Sequence, residues 1–116
     1  MERFYYVYEH IRLDNMTCFY VGKGKNDRAY EKGRNKHHDA IANKFGYAVV
    51  IISENLSEEE AHNLEKEIIE EYVFELGYGI DIKGFRNSTD KFYLTNATFG
   101  GEGCIVTGKQ IGRAHV

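Results

Sequence analysis

An α+β fold is predicted for this 116-residue chain, and three observations predict it. Two aromatic, β-branched runs near the start are separated by turn residues, the pattern of a β-hairpin. A third, continuous apolar run lies further on, beyond two short helical stretches. After it comes a long segment with apolar residues at helical spacing, opened by a capping box. The length suits one domain and is too short for two of ordinary size.

The elements follow in order. Phe4 to Ile11 (FYYVYEHI) is the first strand, Asp14 and Asn15 supply turn chemistry, and Thr17 to Gly22 (TCFYVG) is the hairpin partner. Gly22 and Gly24, with the lysines around them, break the strand, and Asn26 or Asp27 can cap a helix running to about Lys32. Gly33 to Asn35 interrupts it, and KHHDAIANKF forms a second helical stretch ended by Gly46. Tyr47 to Ser53 (YAVVIIS) fits a central strand covered on both faces. Ser57 with Glu60 makes the capping box of a helix reaching about Leu76, and Glu58 to Glu60 sit at the positive end of its dipole. Gly77 and Gly79 stop it. Tyr78 to Thr89 reads as a loop, and KFYLTNATFGGEG as a short extended piece entering a glycine turn.

The domain is expected to occupy residues 1–110. Residues 111–116, Ile-Gly-Arg-Ala-His-Val, match the translation of a common sequencing adapter. The expectation is a non-native tail, with the natural chain continuing beyond Gln110.

Composition excludes several classes. With 42% hydrophobic and 28% charged residues, the chain is neither a disordered segment nor a membrane span. No apolar run approaches the roughly 18 residues of a spanning helix, and no basic-then-apolar leader opens the chain. The expected location is the cytoplasm, with no membrane partner. Cys18 and Cys104 form no disulfide framework and no Cys-x-x-Cys zinc pair, and read as buried small hydrophobes.

The net charge of −3 conceals an asymmetry. Tyr20 to Phe45 carries seven Lys/Arg against three acids, whereas Glu54 to Glu75 carries nine Glu against Lys66 alone. In the basic stretch, Lys23, Lys25, Arg28, Lys32, Arg34 and Lys36 interleave with Tyr20 and Tyr30. Such side chains release counterions on meeting phosphates, the main source of sequence-independent nucleic-acid affinity. A solvated basic face is the other reading of the run. Gly22 and Gly24 would let backbone approach a phosphate closely, though the spacing is not that of a P-loop. His37 and His38, followed by Asp39, point about 100° apart on a helix and read as surface or phosphate contacts.

One carboxylate of the acidic helix is out of place. On a wheel with Ala61 at zero, Leu64, Ile68, Ile69, Tyr72, Val73 and Leu76 make one apolar face. Glu67, Glu70 and Glu71 fall outside it, where solvated glutamates belong. Glu65 falls at about 40°, inside the apolar stripe. A carboxylate there needs a cation, a metal or a polar cleft. A structural ion pair and a metal ligand both satisfy that requirement.

Taken together, these residues resemble the GIY-YIG nuclease family over most of the chain. Tyr6-Val7-Tyr8 stands where the family has Gly-Ile-Tyr, and Tyr20-Val21-Gly22 where it has Tyr-Ile-Gly. Arg28 in GKGKNDRAY matches the family arginine, Glu65 in LEKEIIEEY the family glutamate, and Asn96 in LTNATFGGEG the asparagine before a closing glycine pair. Two departures stand out: Tyr6 replaces the glycine of the first motif, and Lys32 stands where members often carry histidine.

The resemblance implies a mainly antiparallel three-stranded sheet flanked by helices, and a divalent-metal-dependent endonuclease that hydrolyses DNA phosphodiesters. It implies that Glu65 holds magnesium or manganese, and that Arg28 contacts the non-bridging phosphate oxygens. Tyr8 and Tyr20 would flank the attacking water, with Lys23 as the cation that stabilises a phenolate, and Asn96 would orient the site. Lys23, Lys25, Lys32, Arg34 and Lys36 would contact the nucleic acid. The module would be most like the catalytic part of a phage-type or homing enzyme in a bacterium or a phage-infected cell. The other reading is a non-cleaving module of the same fold that binds nucleic acid or protein.

Overall fold

A computed structural model describes residues 3–32, 34–80 and 93–96. The expected tail at residues 111–116, Cys104 and the glycine pair after Asn96 lie outside those residues. The chain forms β1 (Tyr5–Arg12), β2 (Cys18–Gly24), α1 (Lys36–Phe45), β3 (Tyr47–Leu56) and α2 (Glu58–Glu70). Two short strands, β4 (Gly79–Ile80) and β5 (Tyr93–Leu94), pair in parallel beside them. This is an α+β architecture with an open three-stranded antiparallel sheet ordered β2-β1-β3.

The hairpin forms where the turn residues place it, but β2 continues in register through Gly22 and Lys23 to Gly24, where the glycines are expected to break it. The Asn15 side chain accepts from the amide of Thr17, and Arg12 and Thr17 close the turn through a 2.8 Å backbone bond. β1 is the central strand. β3, expected in the centre, lies at an edge, and Val50 and Ile51 on it are exposed. A continuous apolar run does not say how many strands flank it, and among the described residues only β1 pairs with β3.

Pleating sorts the side chains onto two faces. Val7 of β1 and Cys18 and Val21 of β2 join Ala61, Ile68, Ile69 and Tyr72 of α2 and Leu94 in the aliphatic core. Tyr8 and His10 turn the other way, towards α1. His10 pairs with Tyr20 and Ile11 with Cys18, so Phe19 is the extra residue of a bulge. The bulge lets Phe19 and Tyr20 both meet the His10 side, where Phe19 stacks on His38 and Tyr20 lies against His10.

Two helices differ from expectation. The expected helix from Asn26 or Asp27 to Lys32 is a single 3-10 turn over Arg28–Tyr30, and Asp27 makes no side-chain cap. Asn26 takes a left-handed conformation at φ 56°, which interrupts helical geometry just before it. α1 and its Gly46 cap, at φ 73°, occupy the expected residues, and Asn35 caps its start by accepting from the His38 amide.

α2 starts on the expected capping box, with Ser57 and Glu60 bonded reciprocally. After Glu70 it widens into a π turn over Glu71–Glu75. Glu70 and Glu71, placed by the wheel among solvated glutamates, are buried, and Leu76 is exposed. A wheel at 100° per residue fails past the π turn, and it carries no information about which chain covers a helix flank.

Candidate active site

Tyr8 is the centre of the described site. It is fully buried on β1, and its cross-strand partner is Gly22. A Cβ placed on Gly22 would lie 2.5 Å from the Tyr8 hydroxyl and 3.0 Å from the Tyr20 ring. The second glycine has the same kind of role, because a Cβ on Gly24 would collide with the Arg28 stem. The room at both glycines is filled by the protein's own side chains, not left for an approaching phosphate. Glycine at these two positions is what lets a phenol and a guanidinium lie across the end of β2.

Tyr6 occupies the first-motif position expected to hold glycine, and it has a structural task. Its hydroxyl donates to the Asn26 carbonyl at 2.7 Å and accepts from the Ala29 amide at 2.9 Å. That pins the turn carrying Arg28 to β1. The Arg28 side chain is partly exposed and bonds Glu31 at 2.6 Å, which raises its already high pKa.

Arg34 is the cation at the Tyr8 phenol. Its Nη1 donates to the Tyr8 hydroxyl at 2.6 Å, and its guanidinium carbon lies 5.4 Å and 5.3 Å from the Tyr8 and Tyr20 ring centres. Burial pushes the Tyr8 phenol well above its ordinary pKa, the neighbouring Tyr20 adds to that, and the charge and hydrogen bond of Arg34 oppose it.

Lys23, expected at the phenol, lies on the other face. It pairs across the sheet with Val7 and places its ammonium 3.8 Å from Glu58, at the start of α2. Strand alternation alone separates Lys23 from Gly22 and Tyr8, which a motif read as a string does not display. Glu65 belongs to this α2 side too. The residue is 5% exposed, so the wheel's assignment to the buried stripe is observed. At the end of β2 a groove of about 460 Å³ is lined by Lys23, Lys25 and Arg28 together with Glu31 and Glu58. Tyr8, Tyr20 and Glu65 do not line it.

Asn96 holds the outer edge of β2. Its side-chain oxygen accepts from the Val21 amide at 3.0 Å, and its nitrogen donates to the Val21 carbonyl at 2.6 Å. Thr95 adds a 2.8 Å backbone bond to Phe19. A residue 75 positions away in sequence thus satisfies the middle residue of the second motif as a strand partner would.

The remaining basic residues divide. Lys25, Lys32 and Lys36 are exposed, whereas Arg34 is turned inward. His37 and His38, expected at the surface, are buried. The His10 Nε2 atom lies 2.8 Å from the Ala29 carbonyl and must carry the proton, since a carbonyl only accepts. His10 Nδ1 then accepts from His38 Nε2 at 2.8 Å. Burial lowers both histidines to a pKa of about 4. Sequence patterning carried no sign of this pair, because the partners are 28 residues apart.

No family model, curated protein or solved structure matched the chain. Among the described residues no helix is long and apolar enough to cross a membrane, and no group of three or more His, Cys, Asp or Glu is arranged so that it could hold a metal ion.

Proposed function

We propose that this chain is a divalent-metal-dependent endonuclease of the GIY-YIG type, acting on DNA phosphodiesters in the cytoplasm of a bacterium or a phage-infected cell. The observation that carries the reading is the packing at β2. Both glycines after Tyr20-Val21 make room for side chains that phosphoryl transfer needs, a phenol at Gly22 and a guanidinium at Gly24.

The remaining roles follow from chemical need. Hydrolysis requires an oriented water, neutralised phosphoryl charge and a stabilised leaving oxygen. Arg28, with its partly exposed guanidinium in the groove, suits the non-bridging oxygens better than a lysine would. Tyr8 and Tyr20, with ring centres 6.3 Å apart, flank the water. Lys23 and Lys25 line the same groove and meet the DNA backbone, with exposed Lys32 and Lys36 beyond it. Asn96 fixes the strand that carries Tyr20.

Glu65 would hold magnesium or manganese. Such hard cations take one or two carboxylates and complete their shell with water and substrate phosphate, so one protein carboxylate is enough to hold them. When bound, the ion supplies positive charge to the phosphoryl group and the leaving 3′ oxygen.

The test is nicking of supercoiled plasmid in magnesium. The wild-type chain nicks, and Glu65→Ala and Arg28→Ala each reduce nicking by at least about a hundredfold. Cleavage that persists in either variant removes that residue from the assignment. Salt-sensitive DNA binding with no cleavage in any divalent metal would establish the non-cleaving module instead.

A further inference from the structure

We propose that Arg34 is a positioning residue for Tyr8, the cation that holds its phenol and favours the phenolate, and not a contact to DNA. This rests on the proposed nuclease reading, and of the two tyrosines flanking the water it takes Tyr8, the one Arg34 bonds, as the group that receives the proton.

The geometry separates Arg34 from every other basic residue of the stretch. Its Nε donates to the Glu31 carbonyl at 3.0 Å, and its Nη2 donates to the Arg28 carbonyl. With the 2.6 Å bond from Nη1 to Tyr8, each guanidinium nitrogen has a partner inside the protein. A side chain waiting for a phosphate is extended and solvated. This one is folded back over two aromatic rings, at the range where a cation is attracted to their faces.

The phenol needs such a partner. A buried tyrosine is a poor base, since desolvation favours its neutral form. A guanidinium stays charged at any working pH and offers a directed donor as well. In the working cycle the phenol's own proton leaves to solvent. The phenolate, paired with Arg34, then takes one proton from the water as that water's oxygen bonds to phosphorus and the P–O3′ bond breaks. The electron pair of that bond leaves on the 3′ oxygen, which takes a proton from solvent.

Arg34 also ties Tyr8 to the backbone of Arg28 and Glu31, so the phenol and the turn bearing the phosphate-binding arginine move together. Lys23 cannot take this part from the opposite face, where it meets Glu58.

The experiment compares Arg34→Gln and Arg34→Lys with wild type in the whole chain, with circular dichroism to confirm folding. Cleavage at saturating DNA is followed against pH, DNA affinity against salt, and the Tyr8 ring carbon bearing the hydroxyl by carbon-13 NMR. Losing a cation within hydrogen-bond reach shifts a phenol by at least about one pH unit, so Arg34→Gln slows cleavage by about tenfold or more. Its pH profile moves to higher pH, its DNA affinity stays within about twofold of wild type, and Arg34→Lys recovers part of the rate.

The opposite pattern overturns the proposal: weaker binding, a salt dependence flatter by about one charge, and a wild-type rate at saturation. If Arg34→Gln does not fold, Arg34→Lys carries the same comparison, with a smaller rate loss and the same displaced profile. Should the wild type fail to nick, the nuclease reading falls, and the resonance decides Arg34 alone. A Tyr8 signal moved by glutamine and returned towards wild type by lysine supports the contact, and an unmoved signal rejects it.

Discussion

The two faces of the sheet are built from different chemistry. On the α2 side, Val7, Val21, Ile68 and Ile69 close an aliphatic core with no exposed surface. On the α1 side, His10 is ringed by Tyr8, Tyr20, His38 and Tyr47 at centroid distances of 4.5–5.5 Å. The aliphatic face gains from area and close packing, which are indifferent to direction. The aromatic face gains from directed hydrogen bonds and fixed charge, which are costly when incomplete. The difference teaches where each demand is met. The aliphatic packing lies on the α2 side and the aromatic and histidine cluster on the α1 side, while Glu65 and the Tyr72–Glu9 bond set directed polar groups into the aliphatic side as well.

The largest expected effect breaks the aliphatic face. Ile68→Ala removes a fully buried side chain from the last turn of α2 and costs about 2–5 kcal/mol, read from urea unfolding. A loss below about 1 kcal/mol would show that this face is not the stabilising one.

Acid is expected to weaken the other face. His10 and His38 have folded pKa values lowered to about 4 by burial, below the ordinary value of 6.5. Between those values the unfolded chain binds more protons than the native one. The stability is therefore fully present above about pH 6.5 and is lost as pH falls towards 4, by on the order of 2 kcal/mol for each histidine at pH 5. Urea midpoints at pH 7.5 and pH 5 measure it. A flat profile would mean that the histidines are not held neutral.

The smallest effect lies at the end of β2. Lys23→Ala removes a 3.8 Å pair whose glutamate is largely exposed, and should change stability by less than about 1 kcal/mol. A larger loss, measured in the same urea titrations, would give Lys23 a structural weight that its contacts do not explain.

Much of this was legible beforehand because it is local. The hairpin, α1 with its glycine cap, the Ser57–Glu60 box and the inward turn of Glu65 each depend on residues within a few positions of one another, and each appears as expected. Asn96, expected to orient the site, bonds both polar groups of Val21. Arg34 had no local signal. Among six interleaved basic residues nothing marks it, since its selection depends on a strand 26 residues earlier. Lys23 was misplaced for the converse reason, that adjacency in a strand means opposite faces. Glu70 was read as solvated, yet it is fully buried, and neither carboxylate oxygen has a hydrogen-bond partner among the described residues.

Sequence by itself determined the order and type of the three sheet strands and of α1 and α2, through turn chemistry, capping and periodicity, all of which act within one or two turns of chain. It also singled out Glu65, since a charge in an apolar stripe is visible without a fold. Only the tertiary structure decided which strand is central, which face each motif residue joins and which arginine meets the Tyr8 phenol. Those are contacts across tens of residues, set by strand order and pleat, and no spacing along the chain encodes them.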